Sequence, residues 1–253
     1  MFMSDMEFAG IGILNFVSLV WMVLCWFGYA KFAHYRAKRS ASLSSVLHVH
    51  RINWMRRMLK REIRVGDAAL LANIERNVNF FASSCVLIIA GLLTALTATD
   101  KISDMLSTVS FVQGDTLTEL EFKLAVLVVI FIYAYFTFTW SMRQFGFASV
   151  LVGAAPMPDD NSVTPGDRRS MALYSAKVID QASHSYNNGL RAFYFSMAGL
   201  SWFVSEWFFM ATSALITAVL YSREFRSSSL KALKQAENVG DKIFTDDKEL
   251  YRQ

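Results

Sequence analysis

Four long apolar runs, separated by segments dense in charge, set the pattern of this chain. The first, Phe8 to Ala30, holds about 23 residues, which as a helix reach about 35 Å and exceed a hydrocarbon core of about 30 Å. Phe80 to Ala98 and Phe122 to Ser141 hold about 20 residues each, with Lys123 as their single charge. The fourth, Tyr194 to Tyr221, holds about 28 residues or about 42 Å of helix, more than an upright span needs and too little for two. A backbone in lipid must satisfy its own hydrogen bonds, so runs of this length predict helices. The expected fold is an all-α, polytopic membrane helix bundle with four transmembrane helices at about 8–30, 80–98, 122–141 and 194–221, plus cytoplasmic amphipathic helices. Residues 1–226 form a single membrane-embedded domain on this reading, and 227–253 a charged tail.

The charges between the runs orient them. Lys31, Arg36, Lys38, Arg39, Arg51, Arg56, Arg57, Lys60, Arg61 and Arg64 follow the first run, and such a bias assigns a loop to the cytoplasm. The N-terminus is then outside. Asp5 and Glu7 precede the first run where a secretory signal would carry Lys or Arg, so the run reads as a retained anchor. The next loop is acidic, with Asp100, Asp104, Asp115, Glu119 and Glu121, and Thr118 with Glu121 makes a capping box for the third helix. Arg143, Arg168, Arg169, Lys177 and Arg191 return the third loop to the cytoplasm. Four crossings leave the C-terminus outside, whereas Arg223, Arg226, Lys231 and Lys234 beside the last run favour the cytoplasm. The two indications conflict, and four spans are retained as the expectation.

Two of the polar segments have helical period. Val49, Ile52, Leu59 and Ile63, with Trp54 among basic residues, predict a basic amphipathic helix over 46–64 at the membrane surface. Met171, Tyr174, Val178, Ala182 and Tyr186 predict another over 169–190, after a loop marked by Pro156, Pro158, Pro165 and Gly166. The composition, 54% hydrophobic and 14% aromatic, agrees with a bilayer, and a net charge of +4 concentrated beside the first run points to anionic lipid headgroups rather than nucleic acid. Cys25 and Cys85 both lie in apolar runs and make neither a disulfide framework nor a zinc spacing.

Three short polar clusters keep a fixed order around the runs: Glu75-Arg76-Asn77 before Phe80-Phe81-Ala82-Ser83, Thr139-Trp140-Ser141-Met142-Arg143-Gln144 after the third run, and Asn188-Gly189-Leu190-Arg191-Ala192-Phe193-Tyr194 before the fourth. Together they resemble the uncharacterised multi-pass membrane family known as domain of unknown function 599, found in bacteria and plants. The likeness covers most of the chain. It implies a four-span protein of the bacterial inner (cytoplasmic) membrane and carries no activity, substrate or cofactor with it.

Candidate chemistry lies in two places. Arg76, Arg143 and Arg191, with Glu75, Asn77, Asn79, Gln144 and Asn188, fall at one membrane face on this topology, where Arg matches phosphate or carboxylate geometrically; the plainer reading is helix-end anchoring to headgroups. Glu206 is the one carboxylate well inside an apolar run, a proton-relay or ion-pair candidate unless the run starts in a wet interface. His48 and His50, two apart on a helix, do not share one ion readily, and neither a metal site nor a cofactor is expected. The expected role is an accessory or scaffolding component of a membrane complex, with a protein partner or homo-oligomer and membrane lipids as its company. A homo-oligomeric small transporter or channel, and a membrane enzyme using the arginine collar on an anionic lipid-linked substrate, are the alternatives; no nucleophile or nucleotide motif supports enzyme activity.

Overall fold

The computed structural model describes residues 7–8, 10–37, 42–107 and 116–237. A two-residue antiparallel pair, β1 (Glu7–Phe8) with β2 (Ile11–Gly12), opens it around Gly10, whose φ of 75° suits a residue without Cβ. The rest is helical: α1 (Ile13–Ala37), α2 (Leu43–Met58), α3 (Val65–Leu96), α4 (Thr99–Ser107), α5 (Leu117–Gly153), α6 (Pro165–Gly199), a 3₁₀ turn (Leu200–Phe203) and α7 (Glu206–Arg226). Three of these are long and apolar enough to cross a membrane, α1 over Ile13–Ala33, α3 and α5, and they coincide with the first three runs.

Polar residues mark where the helices start. Ser42 and Ser45 make a capping box for α2, and Thr164 with Asp167 another for α6, whose Pro165 has no N–H to orphan. The box of α5 is Thr116 with Glu119, two residues before the Thr118–Glu121 pair expected from the sequence: the Thr116 amide donates to Glu119 Oε2 at 3.0 Å and the Glu119 amide to Thr116 Oγ1 at 3.3 Å. Ser205 caps α7 by accepting from the Phe208 amide at 3.1 Å. In the loop before α6, Ser162 donates its hydroxyl and amide to Asp160, holding that carboxyl below its ordinary range.

Two compact units form. The first gathers Met1–Ala30, Asn73–Arg143 and Ala182–Ala218. Within it, side-chain pairings fix the helix directions. Asn15 meets Glu119, Phe16 packs on Phe122 and Trp26 on Tyr133, so α1 and α5 run parallel. Trp21 donates to the Met210 carbonyl and Cys25 meets Thr217, so α7 also runs parallel to α1. Residues 182–199 of α6 run the other way along α5, through Ser141–Ala182, Phe138–Tyr186 and Phe131–Phe193. The fourth apolar run is therefore not one helix. It breaks at 200–205 and joins two legs of opposite direction.

Helix α5 is the axis of this unit. Of its most apolar stretch 44% is buried, against 17% for α3, which touches the bundle where Phe81 stacks on Phe138 and meets Tyr186 and Phe193 edge-on. Close approach of α6 to α5 depends on glycine. A Cβ at Gly189 would lie 2.6 Å from the buried Phe138 ring, and one at Gly199 2.5 Å from Leu127 Cδ2. Cys25 and Cys85 are free thiols.

The second unit gathers Lys31–Ala72, Gln144–Gln181 and Val219–Gln253. Of the expected stripe Leu59 is buried, at the end of α2, but the helix itself buries Val46, Met55 and Met58 rather than Val49 and Ile52, and Ile63 lies beyond it and is exposed. In α6 the expected Ala182 is buried, but Tyr174 is exposed and the other covered positions include Ala172, Ala176 and Ile179. Each stripe is shifted in part because the helix packs on protein, which selects small and flexible side chains over large aromatic ones. Helix α7 stops at Arg226, Ser227 caps residues 228–237 as a further helix, and its Leu233 carbonyl lies 3.0 Å from His50 Nε2. Glu224 accepts from the Ser44 amide, and the Arg36 guanidinium sits over the rings of Phe32, Tyr221 and Phe225 at 5.6–5.8 Å.

Substituting Gly189 by Ala is expected to destabilise the protein by about 1–3 kcal/mol through overpacking on Phe138, while Gly146→Ala, with open space at that point, changes stability by less than about 1 kcal/mol in the stabilising direction. Denaturant titration of the two variants in detergent checks this. Equal stability for both would mean that α6 does not lie against α5 at Gly189.

Candidate functional site

The polar heart of the first unit sits where α1, α5 and α7 begin. Lys123, one turn and a half into α5, is 1% exposed, and Glu206, the first residue of α7, is 6% exposed. The Lys123 ammonium donates to Glu206 Oε1 at 3.2 Å and to the Trp202 carbonyl at 3.1 Å. Both charges suit their helix ends: the cation closes the end of the 3₁₀ turn that follows α6, and the anion lies in the first turn of α7, where free N–H groups make the potential positive. Of the readings of Glu206, the ion pair is the one the geometry shows, with Lys123 as the partner and the carboxylate buried.

From Trp202 the network continues outward. Its indole N–H donates to Asn15 Oδ1 at 2.9 Å, and Asn15 Nδ2 donates to Glu119 Oε1 at 2.9 Å. Glu119 also accepts from the amides of Gly12 and Thr116, both at 3.0 Å. The Trp202 ring stacks on Phe209 at 4.7 Å and lies 5.8 Å from the Lys123 ammonium, so aromatic faces line what the hydrogen bonds leave. Three helix starts and the turn at 200–205 are thereby tied by side chains. A buried ion pair already engaged on both sides is suited to fixing geometry rather than to chemistry on a substrate.

The collar residues are placed differently from one another. Arg76, Asn77, Asn79, Arg143 and Asn188 are exposed, Glu75 and Arg191 half-buried, and Gln144 buried. Arg191 lies over the Tyr29 ring at 5.4 Å and donates to Asn188 Oδ1 at 3.4 Å, so these two are brought together. They come alongside α5 between Phe131 and Ser141.

In the second unit, two acids organise the basic segment. Asp180 accepts from Arg51 at 2.6 Å and pairs with His48 Nδ1; Asp67, 1% exposed, accepts from Trp54 at 2.7 Å and Arg61 at 2.5 Å. Arg64 donates to the carbonyls of Ala155 and Pro156. Three of the arginines expected at headgroups are thus turned to the protein itself. His48 and His50 go to separate partners, as two residues two apart on a helix must.

Sequence reasoning singled out Glu206 and noted Lys123 only as an exception. The available signal was their complementarity: one basic and one acidic residue, each inside an otherwise uncharged run, are costly in lipid unless they meet. Asp180 had a similar signature as a lone acid on the covered face of α6.

Glu206→Leu alone leaves a buried ammonium without its carboxylate and is expected to cost about 3–5 kcal/mol, and Lys123→Leu a similar amount. The double variant is expected to recover most of that loss. Unfolding in detergent of the four proteins measures it; strictly additive losses would mean the two side chains do not depend on each other.

Comparison with known proteins gives one positive result. A family model described as protein of unknown function, DUF599, matches residues 17–229, from the first helix into the tail helix. No curated protein and no solved structure matches. With its three membrane-length apolar helices and a match over most of its length, the chain belongs to the DUF599 family of proteins of unknown function.

Proposed function

We propose that this protein is an accessory or scaffolding component of a membrane complex, multi-pass in the bacterial inner membrane, with its N-terminus outside and its second unit cytoplasmic. The observation that carries the reading is the composition of that second unit. Its three chain segments, 31–72, 144–181 and 219–253, include both loops whose Lys and Arg favour the cytoplasm and also the tail. A unit assembled from loops and tail, rich in Lys and Arg, is suited to docking a partner.

The four spans expected from the sequence become five on this reading, because the break at 200–205 separates the end of α6 from α7. Crossing segments are then α1, α3, α5, the 182–199 part of α6, and α7. Support comes from the parallel course of α1 and α7, and from His50 and Ser44 meeting Leu233 and Glu224, which needs loop and tail on one side. The basic exit of α7 ceases to be an anomaly. Anionic headgroups on that side suit Arg223 and Arg226, both exposed beside the aromatic cluster of Phe32, Tyr221 and Phe225. A transporter needs intramembrane charges able to change partners, whereas Lys123 and Glu206 are tied to each other.

Purification of the full chain from its native membrane in mild detergent is expected to bring down a second protein in fixed stoichiometry, and alanine at exposed surface positions of the second unit such as Arg169 and Lys177 is expected to weaken that association without changing insertion. Recovery of the chain with lipids alone, at every detergent tested, would count against a scaffold.

A further inference from the structure

One face of α6 is polar where the membrane reading places it in lipid. His184, Asn187, Asn188 and Arg191 follow the spacing i, i+3, i+4, i+7 and so form one stripe. The first three are exposed and Arg191 is half-buried, while Gly189 is buried against Phe138 of α5. The depth of the stripe is set by its neighbours. Phe193 packs on Phe131 near the middle of the third apolar run, and Ala182 accepts from Ser141 at its end. Residues 184–191 therefore lie beside the inner half of that run, up to roughly 13 Å from its end.

Amides presented to hydrocarbon at that depth are unfavourable, and helices in membranes relieve this by hydrogen-bonding across to another helix. We infer that the stripe is a contact between two copies of this chain, with Asn187 and Asn188 at its centre. An anionic headgroup suits Arg191 but sits at the interface, well below the level of that side chain. A carboxamide carries both donor and acceptor, so the same two residues from two copies satisfy each other about a two-fold axis. Arg191 is already held by Tyr29 and Asn188, which keeps its charge off the axis. Beside the stripe, α3 adds apolar surface: it meets α6 through Phe81 on Tyr186 and Phe193, and leaves Phe80 and Leu87 exposed. This inference rests on 182–199 being a crossing segment.

The test uses the full chain in lipid nanodiscs and native membranes. A dimer is expected for the unaltered protein by mass measurement, and Asn187→Leu with Asn188→Leu is expected to weaken it at least about tenfold. An Asn188→Cys variant is expected to cross-link between copies under mild oxidation, while Val129→Cys, exposed on α5, is not. A monomer at all concentrations, or equal cross-linking at both positions, overturns the inference, as does a copurifying anionic phospholipid that is lost in the Asn variants while the mass stays monomeric. Labelling of Asn188→Cys by a membrane-impermeant maleimide separates the two levels: ready labelling defeats the crossing segment itself, whereas protection without cross-linking defeats only the dimer.

Discussion

The rest of the first unit depends on a buried pair of opposite charges, Lys123 and Glu206, which must meet or be expelled. Desolvating each alone is expensive, and their attraction in an apolar surrounding offsets that loss only with good geometry and extra hydrogen bonds. Lys123 finds both, giving one bond to the carboxylate and one to the Trp202 carbonyl. That second bond explains how the chain can break inside an apolar run. Irregular backbone is tolerated at membrane depth where its polar groups are otherwise satisfied: here Lys123 serves Trp202, the Ser201 carbonyl accepts from the amides of Val204 and Ser205, and Ser205 caps α7. Once the break is fixed, the last two legs must run in opposite directions, and the tail follows.

What the sequence made legible was the local part. Lengths and lack of charge marked α1, α3 and α5, and the loop prolines marked the start of α6. The break at 200–205 carries no proline, and its serines are ordinary in membrane helices, so hydropathy runs straight through it. Residues 182–199 of α6, a crossing segment on the proposed reading, were hidden for the opposite reason. His184, Asn187, Asn188 and Arg191 lower its hydropathy below that of a span, because its cover is protein on one side and, on the reading above, a second copy on the other. On that reading the conflict between four crossings and a basic tail is the trace of an additional leg.

In the second unit the division of labour is reversed. Basic residues that a linear reading assigns to lipid are drawn inward by Asp67 and Asp180, two acids whose arginine partners lie 6 and 129 residues away along the chain, respectively. A local charge count sees the arginines and not the acids that engage them. The result is a basic segment with structure of its own, joined to the tail through His50 and Glu224. Such a unit has a shaped surface rather than a diffuse charge.

The central claim, that the last apolar run turns back on itself at a lysine–glutamate pair, fixes the side of the membrane on which the tail lies. Paired fusions of a phosphatase active only outside and a fluorescent protein active only inside, placed after Gln253 and in the loop between Ala154 and Pro165, test it most directly. The account predicts fluorescence and no phosphatase activity at both positions. Phosphatase activity at the tail with fluorescence at the loop would contradict it and restore a single fourth span.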